Sequence, residues 1–579
     1  MNISAFLTPR NILLLILLQA LALKMTGLSH GLPYAFRADE ESLIGGAMRM
    51  IQLKTLIPAL YPEMSVLNYP PFLPYLYMAF IVPVLGVLYA ISGFPDLPSF
   101  KLIVFEQMGA IFFVTRFTSV LFSLGTIWLT YKIALLLLRN PTVALFAAFL
   151  QSVDFVSTFT AHFARHWNAT TFVIWLAIYF SIHLAHDAQR KYYLLVGLTS
   201  GLGFGISYSF GGLGIFAGGI AHLYLIWKRD ASLFHLIDRN SLYMGGIFLL
   251  LAALSIALYP NAALRLINGE ITGLDDAKSF AAWVMMTGDY LQGLMLFNPV
   301  LLLLSALAVV LLLIHRRFTA LAWGLGTGVF YLTILYLTVP LETRYMIVII
   351  PVFAIGAGYV LAWLFNQALT PVSKFAVYGL TLISLGYPLA TSWYESILLQ
   401  RDDTRVQAIT WIEKNLPENA GIVFDLAGAL LRPTYPALLD QKALDPNSLN
   451  AQFRTLLSSY QSGSDRTDIL PGRTYRAIHP QRFNEPILSA SRAGEFLDQW
   501  IASGYQYYAI QFRSPTHDSA LNKIVRSRGE RLAVFRPAKT GNALPTYLRS
   551  TDLLSRPVQS IFQFERFGPI VEIYKIPPP

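Results

Sequence analysis

The 579-residue sequence contains no cysteine. Disulfide frameworks, cysteine-ligated zinc and iron–sulfur clusters are therefore excluded, and an outward-facing domain must hold together by its core alone. Charge is scarce too: Asp, Glu, Lys and Arg make up 13% of the residues, about half the share in a soluble domain, which is roughly 25%. There is no Walker A or dinucleotide fingerprint, so no nucleotide site is expected. Internal repeats and low-complexity linkers are also missing.

Hydrophobicity fills the space. Apolar residues are 55% of the chain and the mean hydropathy is +0.51. The formal net charge of +10 lies largely in short loops between apolar runs, which suits cations that orient a membrane protein better than a nucleic-acid surface. No nucleic-acid partner is expected. The start of the chain, Met1 to Arg10 followed by Asn11–Leu23, lacks a small-residue cleavage site and reads as an uncleaved first span.

A helix needs roughly 20 apolar residues to cross a bilayer. Such runs lie near 11–29, 108–136, 142–162, 170–186, 192–208, 211–227, 242–259, 291–314, 318–339, 345–364 and 374–393. The run Phe72–Ile91 is ambiguous, and the positive-inside rule resolves it. If it does not cross, Arg10, Arg139, Arg190, Lys228, Arg239, Arg316, Arg317 and Lys374 share one side, which would be the cytoplasm. The run then lies in the outer interface. The expected architecture is an α-helical polytopic membrane domain over 1–395, with about 11 transmembrane helices plus interfacial helices. An outer loop covers 30–103, and a soluble extracytoplasmic α/β domain follows over 396–579. The N-terminus would be cytoplasmic, in a multi-pass protein of the cell (plasma or inner) membrane. Within the soluble part, Thr404–Asn415 and Gly494–Ser503 read as helices. Gly421–Phe424, Tyr507–Phe512, Leu532–Phe535 and Ile570–Tyr574 read as strands.

Chemistry concentrates on the outer side. Arg37, Asp39, Glu40 and Glu41 follow the first span; a carboxylate there can take a proton from an acceptor, and Arg37 can hold one ionised. The plainer account is a solvated loop. Asn68-Tyr69-Pro70-Pro71-Phe72 punctuates the entry to the interfacial helix. His162, Arg165, His166, Trp167 and Asn168 fall at the outer end of a span, where Arg can fork onto a phosphate or merely snorkel. Glu342-Thr343-Arg344-Tyr345 opens a late span, with Glu342 placed to orient Arg344; Arg265 sits in a loop with no clustered partner. Asp154 lies within an apolar run, and a partner such as Arg116 would make it structural. Asp275, Asp276 and Asp289 could hold a divalent metal, but paired Asp in a loop does not establish one, so no cofactor is expected.

In order and sidedness these motifs resemble the GT-C superfamily of membrane glycosyltransferases, especially the branch of protein O-mannosyltransferases and lipid A aminoarabinose transferases. Arg37-Ala38-Asp39-Glu40 matches the acidic pair of the family's first outer loop. Tyr69-Pro70-Pro71-Phe72 matches the prolines of a Lys/His-Pro-Pro-Leu motif, Arg165-His166-Trp167-Asn168 is loosely similar to an Arg-x-x-x-Asp motif, and Arg344-Tyr345 resembles a late Arg-Tyr helix start. Tyr69 replaces the basic residue that approaches the lipid phosphate in the family, and Asn168 replaces the later Asp. The resemblance implies inverting transfer of a sugar from a polyprenyl-phosphate donor to a glycan, lipid or protein acceptor. Asp39 would be the general base, Glu40 would orient it or the acceptor, and Arg165, His166, Arg344, Tyr345 and Tyr69 would contact the donor. Asn168, Glu342 and His162 are candidates for the substrate pocket. A lipid or polysaccharide transporter or flippase is the alternative, though no inverted-repeat texture supports it.

Overall fold

The computed structural model describes residues 8–34, 36, 38–230, 236–267, 279–338, 343–449, 451–461, 473–480, 492–512, 518–538 and 558–577. The chain begins with helix α1 (Pro9–Met25), which Thr8 caps through the Asn11 amide, and α2 (Ala38–Leu53). Then come α3 (Phe72–Ile91), α4 (Leu97–Glu106) and the long α5 (Met108–Leu138). Next are α6 (Pro141–Val153), α7 (Phe155–Ala161), α8 (His166–Asp187), α9 (Arg190–Ile206), α10 (Gly214–Lys228), α11 (Arg239–Leu258) and α12 (Pro260–Ile267). The membrane part closes with α13 (Phe280–Phe297), α14 (Pro299–Ile314), α15 (Phe318–Thr338), a 3-10 turn (Thr343–Val348), α16 (Ile350–Gln367) and α17 (Pro371–Gln400).

Among the described residues, seven helices are long and apolar enough to cross a membrane, and the bent pair α6–α7 makes an eighth. This is a multi-pass membrane protein. The expectation of about 11 spans also counted the runs 11–29, 192–208 and 211–227, whose helices are 17, 17 and 15 residues long, and the run 291–314, whose internal break hydropathy does not register. The run 142–162 bends by 54° at Asp154, whose extended backbone caps α7 through the Ser157 amide. The run 291–314 divides at Asn298, because Pro299 has no N–H to continue α13 and instead opens α14. Helix α17 runs to Gln400, past the boundary expected at 395.

The helix α3 shares a core with Ile111 and Phe112 of α5, Val173 of α8, Ile206 of α9 and Tyr259, and these residues all lie at one end of the bundle. Phe72 reaches that end only because position 205 is glycine, where a Cβ would come within 2.1 Å of its ring. The far half of α3, with Val82, Val87 and Ile91, is exposed.

After α17, helix α18 (Thr404–Asn415) leads into a five-stranded sheet of β1 (Gly421–Asp425), β2 (Arg476–Ile478), β3 (Tyr507–Phe512), β4 (Glu530–Phe535) and β5 (Ile570–Lys575). The order is β2-β1-β3-β5-β4. β1 is parallel to β2 and β3, and β5 is antiparallel to β3 and β4. Helices α19 (Tyr435–Leu444), α20 (Ala451–Gln461), α21 (Ala493–Ala502) and α22 (Ala520–Arg528) complete the domain. It rests on the membrane part through Val558, Ile561, Phe564 and Phe567, which join the main membrane core, and through an ion pair between Arg432 and Glu106.

Candidate functional site

Glu40 is fully buried near the start of α2. Its two carboxylate oxygens accept from Arg116 Nε and Nη2, both at 2.9 Å, and Oε1 also accepts the Ala164 amide at 2.7 Å. Arg116 Nη1 donates to the carbonyls of Leu28 and His30 at 3.0 and 2.8 Å. A bidentate guanidinium–carboxylate pair, with Nη1 satisfied by two backbone carbonyls, is the kind of arrangement that offsets the cost of burying two charges. The clamp therefore pins the first residues of α2 beside the turn that precedes Arg165. Asp39, next to Glu40 and also in α2, has its side chain outside the described residues, as do Arg37 and Glu342 entirely. The partner the sequence offered Asp154 was Arg116. The structure gives Arg116 to Glu40 instead, and leaves Asp154 capping α7.

Arg165 is the N-cap of α8, and Arg344 stands on the 3-10 turn Thr343–Val348. Far apart in sequence, they converge on one ring: their guanidinium carbons lie over Trp167 at 4.0 and 4.7 Å from its centroid. The turn is held there by Trp175 Nε1, which donates to the Val348 carbonyl at 2.7 Å, and by Tyr331 Oη, which donates to the Tyr345 carbonyl at 3.0 Å. His166 lies beside this pair with Tyr69 5.1 Å away, ring to ring, and Phe210 6.1 Å away. Phe210 in turn meets Tyr345 at 5.7 Å. Sequence reading missed Phe210, Trp175 and Tyr331; aromatics in apolar helices carry no signal that separates them from ordinary core.

The arrangement has the charge to hold an anion. Two guanidinium groups share one indole, and the N-terminus of a 22-residue helix adds the positive end of its dipole. His166 Nδ1, Trp167 Nε1 and Asn168 Nδ2 are buried with no hydrogen-bond partner among the described residues, where buried polar atoms are normally satisfied. A phosphate oxygen is a suitable acceptor for such donors.

Two expectations fall elsewhere. His162 is not at this cluster: its Nε2 is 2.9 Å from the Thr26 carbonyl and its Nδ1 is 3.7 Å from Glu395 Oε1, so the ring belongs to the frame joining α7 to α17. Arg265 is helical, on α12, and donates to Asn68 next to Tyr69; sequence reading left it in a loop without a partner. Asp275 and Asp276 lie outside the described residues, and no group of three potential metal ligands occurs among the described residues.

Residues 100–259, which carry α5 to α11 and the Arg165 turn, match the family model described as dolichyl-phosphate-mannose-protein mannosyltransferase. Among solved structures, the chain is similar to the Archaeoglobus fulgidus oligosaccharyltransferase tethered with an acceptor peptide. The match has 12% identity and a TM-score of 0.44, and covers 88% of this chain and 70% of that one. Archaeoglobus fulgidus AglB in complex with an inhibitory peptide and a dolichol-phosphate matches with 12% identity and a TM-score of 0.45, over 87% of this chain and 69% of that one. ArnT from Cupriavidus metallidurans bound to undecaprenyl phosphate matches with 12% identity and a TM-score of 0.42, over 97% of each chain. No curated protein sequence matches. Over residues 100–259, which build the Arg165 turn, the chain resembles the dolichyl-phosphate-mannose-protein mannosyltransferases.

Proposed function

We propose that the protein transfers a sugar from a polyprenyl-phosphate donor to a glycan, lipid or protein acceptor on the outer face of the membrane, with inversion. The observation that carries this reading is the meeting of Arg165 and Arg344 at Trp167, beside the clamped helix start that bears Asp39. Asp39 takes the proton of the acceptor hydroxyl or amine as that group attacks the anomeric carbon. The bond from that carbon to the phosphate oxygen breaks on the opposite face, and the lipid phosphate leaves with one more negative charge. Arg165 and Arg344 offset that charge in a site poor in water, where such stabilisation is worth most. Glu40 serves by placing Asp39 rather than by touching the acceptor, because both its oxygens are committed to Arg116 and Ala164. Tyr69, His166, Asn168 and Tyr345 form the walls around the donor headgroup, with Glu342 orienting Arg344.

In this reading the end of the bundle with Arg165 faces outward and the N-terminus faces the cytoplasm of a cell membrane. Structures of the relatives with dolichol-phosphate, undecaprenyl phosphate and an acceptor peptide support a lipid-linked donor and a separate acceptor. The transporter reading is not favoured. The test uses purified protein in detergent, a radiolabelled polyprenyl-phosphate sugar and a membrane extract as acceptor source. Release of free polyprenyl phosphate with the label moved to a new species is expected; a donor that stays intact through many equivalents of enzyme removes the proposal.

A further inference from the structure

A groove of about 790 Å³ runs between α8, α10 and α15, well within the range of roughly 300–1,000 Å³ typical of ligand sites. Its walls are apolar, with Ile178 on one side and Phe216 and Phe330 packed at 5.0 Å on the other. Its two ends differ. One is closed by the buried Tyr331 and Val348, which help hold the turn bearing Arg344. The other, at the opposite end of the bundle, is ringed by Arg139, Lys228, Arg316 and Arg317, and among the described residues no carboxylate lines the groove.

These cations end helices α5, α10 and α14, where a helix dipole favours positive charge, so position alone explains them in part. Their convergence on one cavity is the further fact. Arg139 and Arg316 also occupy left-handed backbone, with φ of 52° and 53°, a conformation that glycine adopts at least cost. From Phe318 to Tyr331 the groove follows α15 for roughly 20 Å at 1.5 Å per residue. That exceeds one leaflet of a hydrocarbon core about 30 Å thick. Basic pockets between membrane helices are recognised by anionic lipid headgroups.

We propose that this groove binds an anionic glycerophospholipid of the leaflet opposite the Arg165–Arg344 cluster. Its phosphate sits on Arg139, Lys228, Arg316 and Arg317, and one acyl chain lies along α15. The proposal rests on the membrane reading of the bundle and not on the transfer chemistry. The bound chain fills the space between α15 and the α8–α10 wall, and so steadies Tyr331, which donates to the turn bearing Arg344.

The full-length protein is taken into detergent micelles with equal phosphatidylglycerol and phosphatidylcholine, and native mass spectrometry reads the retained lipid. Wild type should retain phosphatidylglycerol preferentially. The triple variant Arg139→Gln, Arg316→Gln, Arg317→Gln should lose that retention at least tenfold. Gly326→Phe provides a second test with all charges intact, because a Cβ at Gly326, which lines the groove, meets no atom within 4 Å. It should also lose retention while eluting as a single species, whereas Arg190→Gln, outside the groove, should behave as wild type. Equal retention of the two lipids by wild type overturns the site, as does a triple variant or a Gly326→Phe variant that keeps phosphatidylglycerol. Polyprenyl phosphate displacing phosphatidylglycerol from wild type would also overturn it, by making the groove the donor's. Arg344→Ala should keep phosphatidylglycerol while losing donor use, which separates failure here from failure of the transfer reading.

Discussion

Asp39 and Glu40 are neighbours to which the proposed mechanism assigns different tasks, and mutation should separate them by what else is lost. Asp39→Asn should lower transfer by about 10²–10⁴-fold, the usual cost of losing a general base, with thermal unfolding unchanged. Wild-type turnover in that variant removes Asp39 from the mechanism. Glu40→Gln instead leaves the Arg116 charge buried without its counterion, a loss of about 3–5 kcal/mol when one partner of a buried pair is removed. Its melting temperature should drop together with its activity, and Arg116→Ala should show the same pair of losses. A Glu40→Gln protein that melts like wild type would sink the clamp. At Arg344 the expected effect is on the donor: a planar fork suits a phosphate better than an ammonium does, so Arg344→Lys should already raise the donor KM. A fall in kcat as well would place the contact on charge that develops in the transition state. Identical donor kinetics in Arg344→Ala and wild type would reduce it to an interfacial anchor.

Among the elements, α3 decides the topology. Its 20 residues are long and apolar enough to cross, yet the partners of its first half sit at one end of the bundle, and Val82, Val87 and Ile91 of its second half are exposed. Leu73, Tyr77 and Ile81 pack it against the ends of α5 and α9, and the sequence expectation that it lies in the outer interface instead of crossing is open to a direct test. Single cysteines in this cysteine-free chain can test that placement, provided they are exposed. Leu60 and Leu97 are 68% and 66% exposed and flank the helix. An impermeant thiol reagent added outside should modify both. Labelling at Leu60 alone would mean that α3 spans, and every later loop would change sides. Met64 and Ser99, which sequence spacing alone would suggest, are buried and would stay silent.

For the whole molecule, the main question is how the sheet domain is held over the membrane part. The segment Val558–Gln563 and the following Phe564 and Phe567 return to the main membrane core, and Tyr394 Oη on α17 donates to the Phe564 carbonyl at 2.8 Å. Phe564 is buried, so Phe564→Ala should cost about 3–5 kcal/mol and expose the domain junction. Lower thermal stability and faster limited proteolysis between the two parts are the expected readouts. Unchanged proteolysis would mean that the contact does not couple them.

Composition and periodicity by themselves determined the membrane class, the change to soluble patterning after Glu395, and several soluble elements. Thr404–Asn415 and Tyr507–Phe512 have the bounds read from pattern, because alternation and three-residue spacing are local properties. Short strand Arg476–Ile478 and helix Tyr435–Leu444 were not legible: three residues show no period, and the buried face of the helix is Ala437, Leu438 and Gln441, too little apolar surface to mark a stripe. At the site, Tyr69, Arg165, His166, Arg344 and Tyr345 stood out one by one as polar or aromatic residues at the ends of apolar runs. Only the tertiary structure decided that they meet. A guanidinium at a helix end has the same local sequence whether it snorkels or joins a second arginine on a shared indole. The same holds for Glu40, placed by sequence in an outer loop to orient Asp39 or the acceptor and found buried in an ion pair, because its partner lies 76 residues away on another helix. Burial of charge depends on which helices pack, and that is set by long-range contacts that a local pattern does not encode.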